Sequence, residues 1–342
     1  MTEPWFPGWW SRLATGLPGL RPLSRWGVSV GSLALGLLTL FVFRRGLPHV
    51  GWIVGYLLLV WLLFAILAEW RAALEERGQR LVVSAAEYAI QTLFHNLLLF
   101  VLPAYYASAT LTSRNVVFLA GVAAAALLTA IDPWYRQLVH PRPWRQRAFF
   151  GWSIFVALDA ALGLVGMRPF RAAEISAALA ALALAPALRH TGDGRWWGAV
   201  ARAGALAAAA AALIWFARAF VPPAPLFLAR AVAARAVVEL TPIDVVPGTV
   251  PAATVADWGG LAAYTAVAAP SGLSQSIEHV WSKDGVPFAR IPLAPVRGGR
   301  AEGFRTFSTT RNLPPPLAGR YTVDVVTTAG QLIGRLRFTV TP

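Results

Sequence analysis

Of 342 residues, 57% are hydrophobic and only 13% charged, roughly half the charge of an ordinary soluble domain, so lipid is the expected solvent for much of the chain. A net charge of +14 would suggest nucleic acid as partner in a soluble protein. Here nearly all of it is arginine lying between apolar runs, Lys283 being the only lysine, and no nucleic-acid motif accompanies it.

Residues 1–26 form an amphipathic leader in which Trp5, Phe6, Trp9, Trp10 and Trp26 lie among Arg12, Arg21 and Arg25, a mixture suited to a membrane surface. The apolar run that follows ends at Phe43, Arg44 and Arg45 with no small-residue cleavage pattern, so it reads as a retained helix rather than a signal peptide. Counting about 20 apolar residues per crossing predicts an α-helical transmembrane bundle of about seven spans over 27–220: 27–43, 50–68, 81–106, 116–131, 148–167, 172–188 and 199–220. The leader and alternate loops hold Arg71, Arg77, Arg80, Arg136, Arg142, Arg145, Arg147, Arg189 and Arg195, against Arg44, Arg45, Arg114, Arg168 and Arg171 in the others. This bias predicts a multi-pass membrane protein with a cytoplasmic N-terminus and, for an odd span count, a C-terminus outside the cytoplasm.

The third span is the most polar. Glu87, Gln91 and His95 recur at i, i+4 and i+8, with Tyr88, Thr92 and Asn96 beside them. Asp159 in the fifth span and Arg202 in the seventh are their candidate partners. Ionisable groups at this depth relay protons, bind a cation or hold a polar substrate, or else hydrogen-bond to one another and fix helix packing. Glu75, Glu76 and Arg80 spell the EExxxR of CAAX-type proteases without the downstream FxxxH histidine. Ser153 in Gly151-Trp152-Ser153 lacks the longer Gly-Ser motif of a rhomboid-like nucleophile, and His95 precedes it where that family places its histidine later in the chain. His49, His95, His140, His190 and His279 show no metal-ligand spacing and no phosphate-cradling glycine loop is present, so neither metal nor cofactor is expected. Gly27 with Gly31, Gly51 with Gly55, and alanine-rich late spans favour close helix packing, within the chain or in a homo-oligomer.

The proline-rich stretch 221–229 ends the bundle and leads to a domain over 230–342. Strands are predicted at 236–240, 261–267, 277–282, 288–293, 305–308, 321–327 and 336–341, separated by turns such as Lys283-Asp284-Gly285. Alternation over Tyr321–Thr327 marks one buried face. His279 and Trp281 share a strand face and read as core. Arg290, Arg297, Arg300, Arg305 and Arg311 form a candidate basic face for anionic headgroups or cell-wall polymer.

His279-Val280-Trp281, Phe304-Arg305-Thr306-Phe307-Ser308, Gly319-Arg320-Tyr321-Thr322-Val323, and Gly330-Gln331-Leu332 with Phe338 and Val340 resemble a bacterial domain of unknown function, the 2914-type module found at the C-terminal end of exported or membrane-anchored proteins. The membrane part, including Leu102-Pro103-Ala104-Tyr105-Tyr106, looks like a polytopic bacterial family ending in that module. The resemblance implies an Ig-like sandwich and supplies no catalytic residue. The expectation is a non-enzymatic envelope protein whose bundle, solvated by membrane lipids, anchors an external all-β sandwich for a periplasmic protein or cell-wall polymer. The alternative is a small transporter or membrane-embedded enzyme built on the third-span polar cluster.

Overall fold

A computed structural model describes residues 50–139, 141–189 and 195–342. The leader, the span predicted at 27–43, the Gly27–Gly31 pair, His49, His140 and His190 lie outside the described residues.

Among the described residues eight helices belong to the bundle: α1 (Val50–Glu76), α2 (Arg80–Ser108), α3 (Val116–Ala130), α4 (Asp132–Leu138), α5 (Pro143–Leu164), α6 (Pro169–Leu182), α7 (Ala185–Arg189) and α8 (Trp196–Ala217). Proline sits in the first turn of α4, α5 and α6, where its missing N–H is no loss and its fixed φ suits the helix. The EExxxR segment straddles the turn between α1 and α2.

The seven-span expectation is not supported. Among the described residues, three helices are long and apolar enough to cross a membrane, within α2, α5 and α8. A fourth crossing is reached only by joining α3 to α4, which bend by 108° at their break. The segments predicted as the fourth and sixth spans become helices of 15 and 14 residues, about 22 Å long at 1.5 Å per residue against about 30 Å of hydrocarbon. Proline sets both lengths: Pro133 follows the α3 break, and Pro186 lies just inside α7, beyond the turn that ends α6. Alanine explains why these segments looked like spans. The two helices α6 and α8 pack on one another, and both bury alanines, Ala172, Ala173, Ala177, Ala180 and Ala181 on α6 and Ala199, Ala203 and Ala207 on α8, because small residues let helices approach closely.

The C-terminal region is all β apart from one short helix. A four-stranded sheet has the order β2-β1-β4-β9, and a five-stranded sheet the order β3-β11-β10-β6-β7. Their strands are β1 (Phe227–Val238), β2 (Thr241–Val246), β3 (Thr249–Pro251), β4 (Leu261–Ala268), β6 (Ile277–Lys283), β7 (Val286–Pro292), β9 (Phe304–Thr310), β10 (Gly319–Thr327) and β11 (Leu332–Thr341). A small pair, β5 (Ser274–Gln275) with β8 (Val296–Arg297), and α9 (Ala252–Trp258) complete the region. The sheets face one another over Leu261, Ala263, Trp281, Tyr321, Val323 and Phe338. Between β6 and β7 only Asp284 and Gly285 turn the chain, both at positive φ (49° and 86°), the two-residue hairpin that Asp-Gly favours.

The sheets meet the bundle at one end. Asn115 Nδ2, from the α2–α3 loop, donates to the Leu332 carbonyl at 3.3 Å, and Gln331 Nε2 donates to the Val221 carbonyl at 3.3 Å. Arg335, held by two bonds of 2.5 and 2.6 Å to Asp324, reaches the Thr112 carbonyl at 3.4 Å. The α5 end comes so close that a Cβ on Gly163 would collide with the Ala224 carbonyl oxygen.

Candidate functional site

The polar residues of α2 lie along one helix yet serve different neighbours. Glu87 pairs with Arg71 of α1 at 3.1 Å. One turn on, Gln91 Nε2 donates to the Thr129 carbonyl at 3.1 Å and to the Asp132 carboxylate at 2.6 Å. Thr129 is the residue whose helical partner would be the N–H of position 133, and Pro133 has none. Gln91 therefore supplies the hydrogen bond that the α3–α4 break removes, inside the bundle, where an orphaned carbonyl costs about 1–3 kcal/mol. His95 Nδ1 lies 3.4 Å from both the Ala126 carbonyl and Thr129 Oγ1. Asn96 is half-buried beside it.

Asp159 does not join this group. Its carboxyl is 2.8 Å from the Tyr105 hydroxyl, which also lies 2.8 Å from the Val156 carbonyl. Arg202 donates to the Leu188 carbonyl at 3.0 Å, tying α8 to the end of α7. The six residues thus occupy several places in the bundle, with Gln91 and His95 drawn together through Thr129. Among the described residues no group of three His, Asp or Glu side chains stands at metal-ligand distances.

A cavity of about 420 Å³ opens at the bundle end remote from the sheets. Phe64, Leu67, Ile90 and Phe94 make its apolar wall, and Arg71, Glu87, Gln146 and Arg147 bring polar groups to it. Its floor is an aromatic cluster in which Phe64 stacks on Phe150 at 3.9 Å and Phe94 meets Phe149 edge-on at 5.4 Å. Arg71 and Arg147 had a sequence signal only as loop charge, and Tyr135, which closes one side, had none; only the tertiary fold assembles them from α1, α4 and α5.

Within the sheets, His279 is fully buried. Thr265 Oγ1 lies 3.0 Å from its Nε2 and Ser308 Oγ lies 2.8 Å from its Nδ1, while Trp281 Nε1 donates to the same Ser308 Oγ at 2.9 Å. A neutral imidazole satisfies this network when Ser308 donates to Nδ1 and Nε2–H donates to Thr265. His279 and Trp281 of β6 with Thr265 of β4 and Ser308 of β9 are thereby a structural constellation that joins the two sheets. The five arginines of the candidate basic face are distributed over several elements. Arg290 lies on β7 and pairs with Glu278 at 2.6 Å. Arg305 lies on β9 in the other sheet, Arg311 follows that strand at its far end, and Arg297 and Arg300 belong to β8 and the loop after it, where Arg300 lies over the Phe304 ring.

The model of DUF5924, a family of unknown function, matches residues 11–242, well over half of the chain. The chain belongs to the DUF5924 family. A second model, DUF2914, a protein of unknown function, matches residues 274–340 of this DUF5924 member. The boundary between the two does not follow the sheets, since β1 lies in the first match and pairs with β4, which lies in neither. No curated protein and no solved structure matches the chain.

Proposed function

We propose that this DUF5924 member is an integral protein of the bacterial cytoplasmic membrane that holds an Ig-like sandwich in a fixed orientation outside the cytoplasm. There the sandwich meets a periplasmic protein or cell-wall polymer, and the protein catalyses no reaction of its own. The observation that carries this reading is the docking of the sheets on one bundle end through Asn115, Gln331 and Arg335, which a flexible tether would not need.

Aromatic belts support the membrane placement. Trp70, Trp134, Trp144, Trp196 and Trp197 are exposed at the end remote from the sheets, and Tyr106, Trp215, Phe216 and Phe220 at the other. Trp197 and Trp215 are 18 positions apart on α8, about 27 Å at 1.5 Å per residue and close to the hydrocarbon thickness, with indoles at both interfaces. The arginine-rich loops belong to the end remote from the sheets, which favours that end as cytoplasmic. Two features favour the Ig-like reading: the buried Trp281 on an inner strand, and Tyr321, whose hydroxyl donates back to the Leu317 carbonyl at 2.9 Å. A transporter or enzyme built on Glu87, His95 and Asp159 has less support, because separate helix contacts engage the three.

The topology is tested by fusing alkaline phosphatase, and separately a green fluorescent protein, after Pro342. Phosphatase activity without fluorescence is expected. The reverse result overturns the external placement of the sandwich.

A further inference from the structure

The cavity at the remote end is a site of its own. Arg147, half-buried on the first turns of α5, lines it and makes no hydrogen bond or ion pair to any described residue. A guanidinium held beside Phe64, Leu67, Ile90 and Phe94 is a fixed positive charge next to an apolar slot, with no carboxylate of the described residues bound to it. Such a charge at a partly desolvated position favours an anion, and a planar guanidinium favours a phosphate or carboxylate in particular. The slot favours an acyl chain on the same molecule.

The depth of the cavity identifies the source of that molecule. Exposed Trp70 precedes the lining residue Arg71, exposed Trp134 precedes Tyr135, and exposed Trp144 follows Pro143. Three helices thus place an indole next to the cavity wall, and indoles concentrate at the headgroup level of a bilayer. The geometry points to a binding site for one anionic phospholipid of the adjacent leaflet, its phosphate on Arg147 and its first acyl carbons against Phe64, Leu67, Ile90 and Phe94. This assignment rests on the membrane reading given above. The volume of about 420 Å³ takes the headgroup and the start of one chain, and leaves the rest in the bilayer.

The test uses the full chain purified in mild detergent and native mass spectrometry with added phosphatidylglycerol, phosphatidylethanolamine or inorganic phosphate. One phosphatidylglycerol per chain is expected to survive activation, with phosphatidylethanolamine retained less and inorganic phosphate unable to displace it. Arg147→Ala weakens retention by roughly ten- to a hundredfold, the loss of one charge-assisted hydrogen bond, and Arg147→Lys falls between. Arg145→Ala changes nothing, since Arg145 lies outside the lining and donates to the Leu138 carbonyl. Leu67→Trp, which fills the slot without touching the charge, also lowers retention and guards against a misfolded Arg147 variant. Equal retention by the wild type and Arg147→Ala overturns the site, and displacement of the lipid by inorganic phosphate overturns its assignment to a phospholipid. A chain that needs detergent yet keeps no lipid defeats this proposal alone, whereas one soluble without detergent defeats the membrane reading.

Discussion

Burial without a charged partner pushes the His279 imidazole down from 6.5 to about 4, because the protonated ring has no water inside the sandwich. An unfolded chain takes up this proton near pH 6.5 and the folded one only near 4. The stability His279 leaves intact above pH 6.5 is therefore lost as pH falls through that window, by up to roughly 3 kcal/mol. Denaturant unfolding of the sandwich, followed by amide exchange on β6, is expected to show this loss between pH 6.5 and 4, and His279→Gln to flatten it. An equal slope in both proteins removes His279 as the cause. At this scale the sequence was informative: period-two spacing put His279 and Trp281 on one inward face. What it could not show was Ser308, 27 positions later than Trp281, as the group that satisfies both.

The helices and strands differ in how much of them the sequence revealed. Strands predicted at 261–267, 277–282 and 321–327 correspond to β4, β6 and β10, whose alternating or continuous apolar character survives any packing. β2 and β3 were missed because Pro242 and Pro251 read as breaks. Both strands lie at sheet edges, where proline is tolerated since an outward N–H has no ladder to serve. The polar stripe of α2 was legible as unusual, and its use was not, because the carbonyl that Gln91 meets is orphaned by a proline 42 positions away. Gln91→Leu leaves the Thr129 carbonyl and Asp132 without that donor and is expected to destabilise the bundle by about 1–3 kcal/mol. Thr92→Ala, which removes only a bond to the Tyr88 carbonyl on the exposed side, is expected to change stability by less than about 0.5 kcal/mol. Unfolding in detergent checks both, and equal effects refute the role given to Gln91.

For the molecule as a whole, the joint between sandwich and bundle is built from Thr112 and Asn115 of the α2–α3 loop on one side, and from Gln331 with Leu332 and Arg335 of the first residues of β11 on the other. Asn115→Ala combined with Gly163→Val removes one bond and forces a Cβ against Ala224. Faster proteolysis after Val221 is expected, with the unfolding midpoint of the sandwich unchanged. Unaltered proteolysis means the joint does not depend on these contacts. By itself the sequence determined that the described residues up to about 220 are helical and apolar and that those after them are almost entirely β, because hydropathy and period are local properties of each segment. Only the structure showed that three of the described helices, or four with the bent pair, are long and apolar enough to cross a bilayer, since an alanine-rich apolar run packs equally well against lipid or against another helix. It also decided that Glu87, His95 and Asp159 serve separate contacts, and that Arg147 faces an apolar cavity. Those facts depend on distances between residues far apart in the chain, which no local pattern encodes.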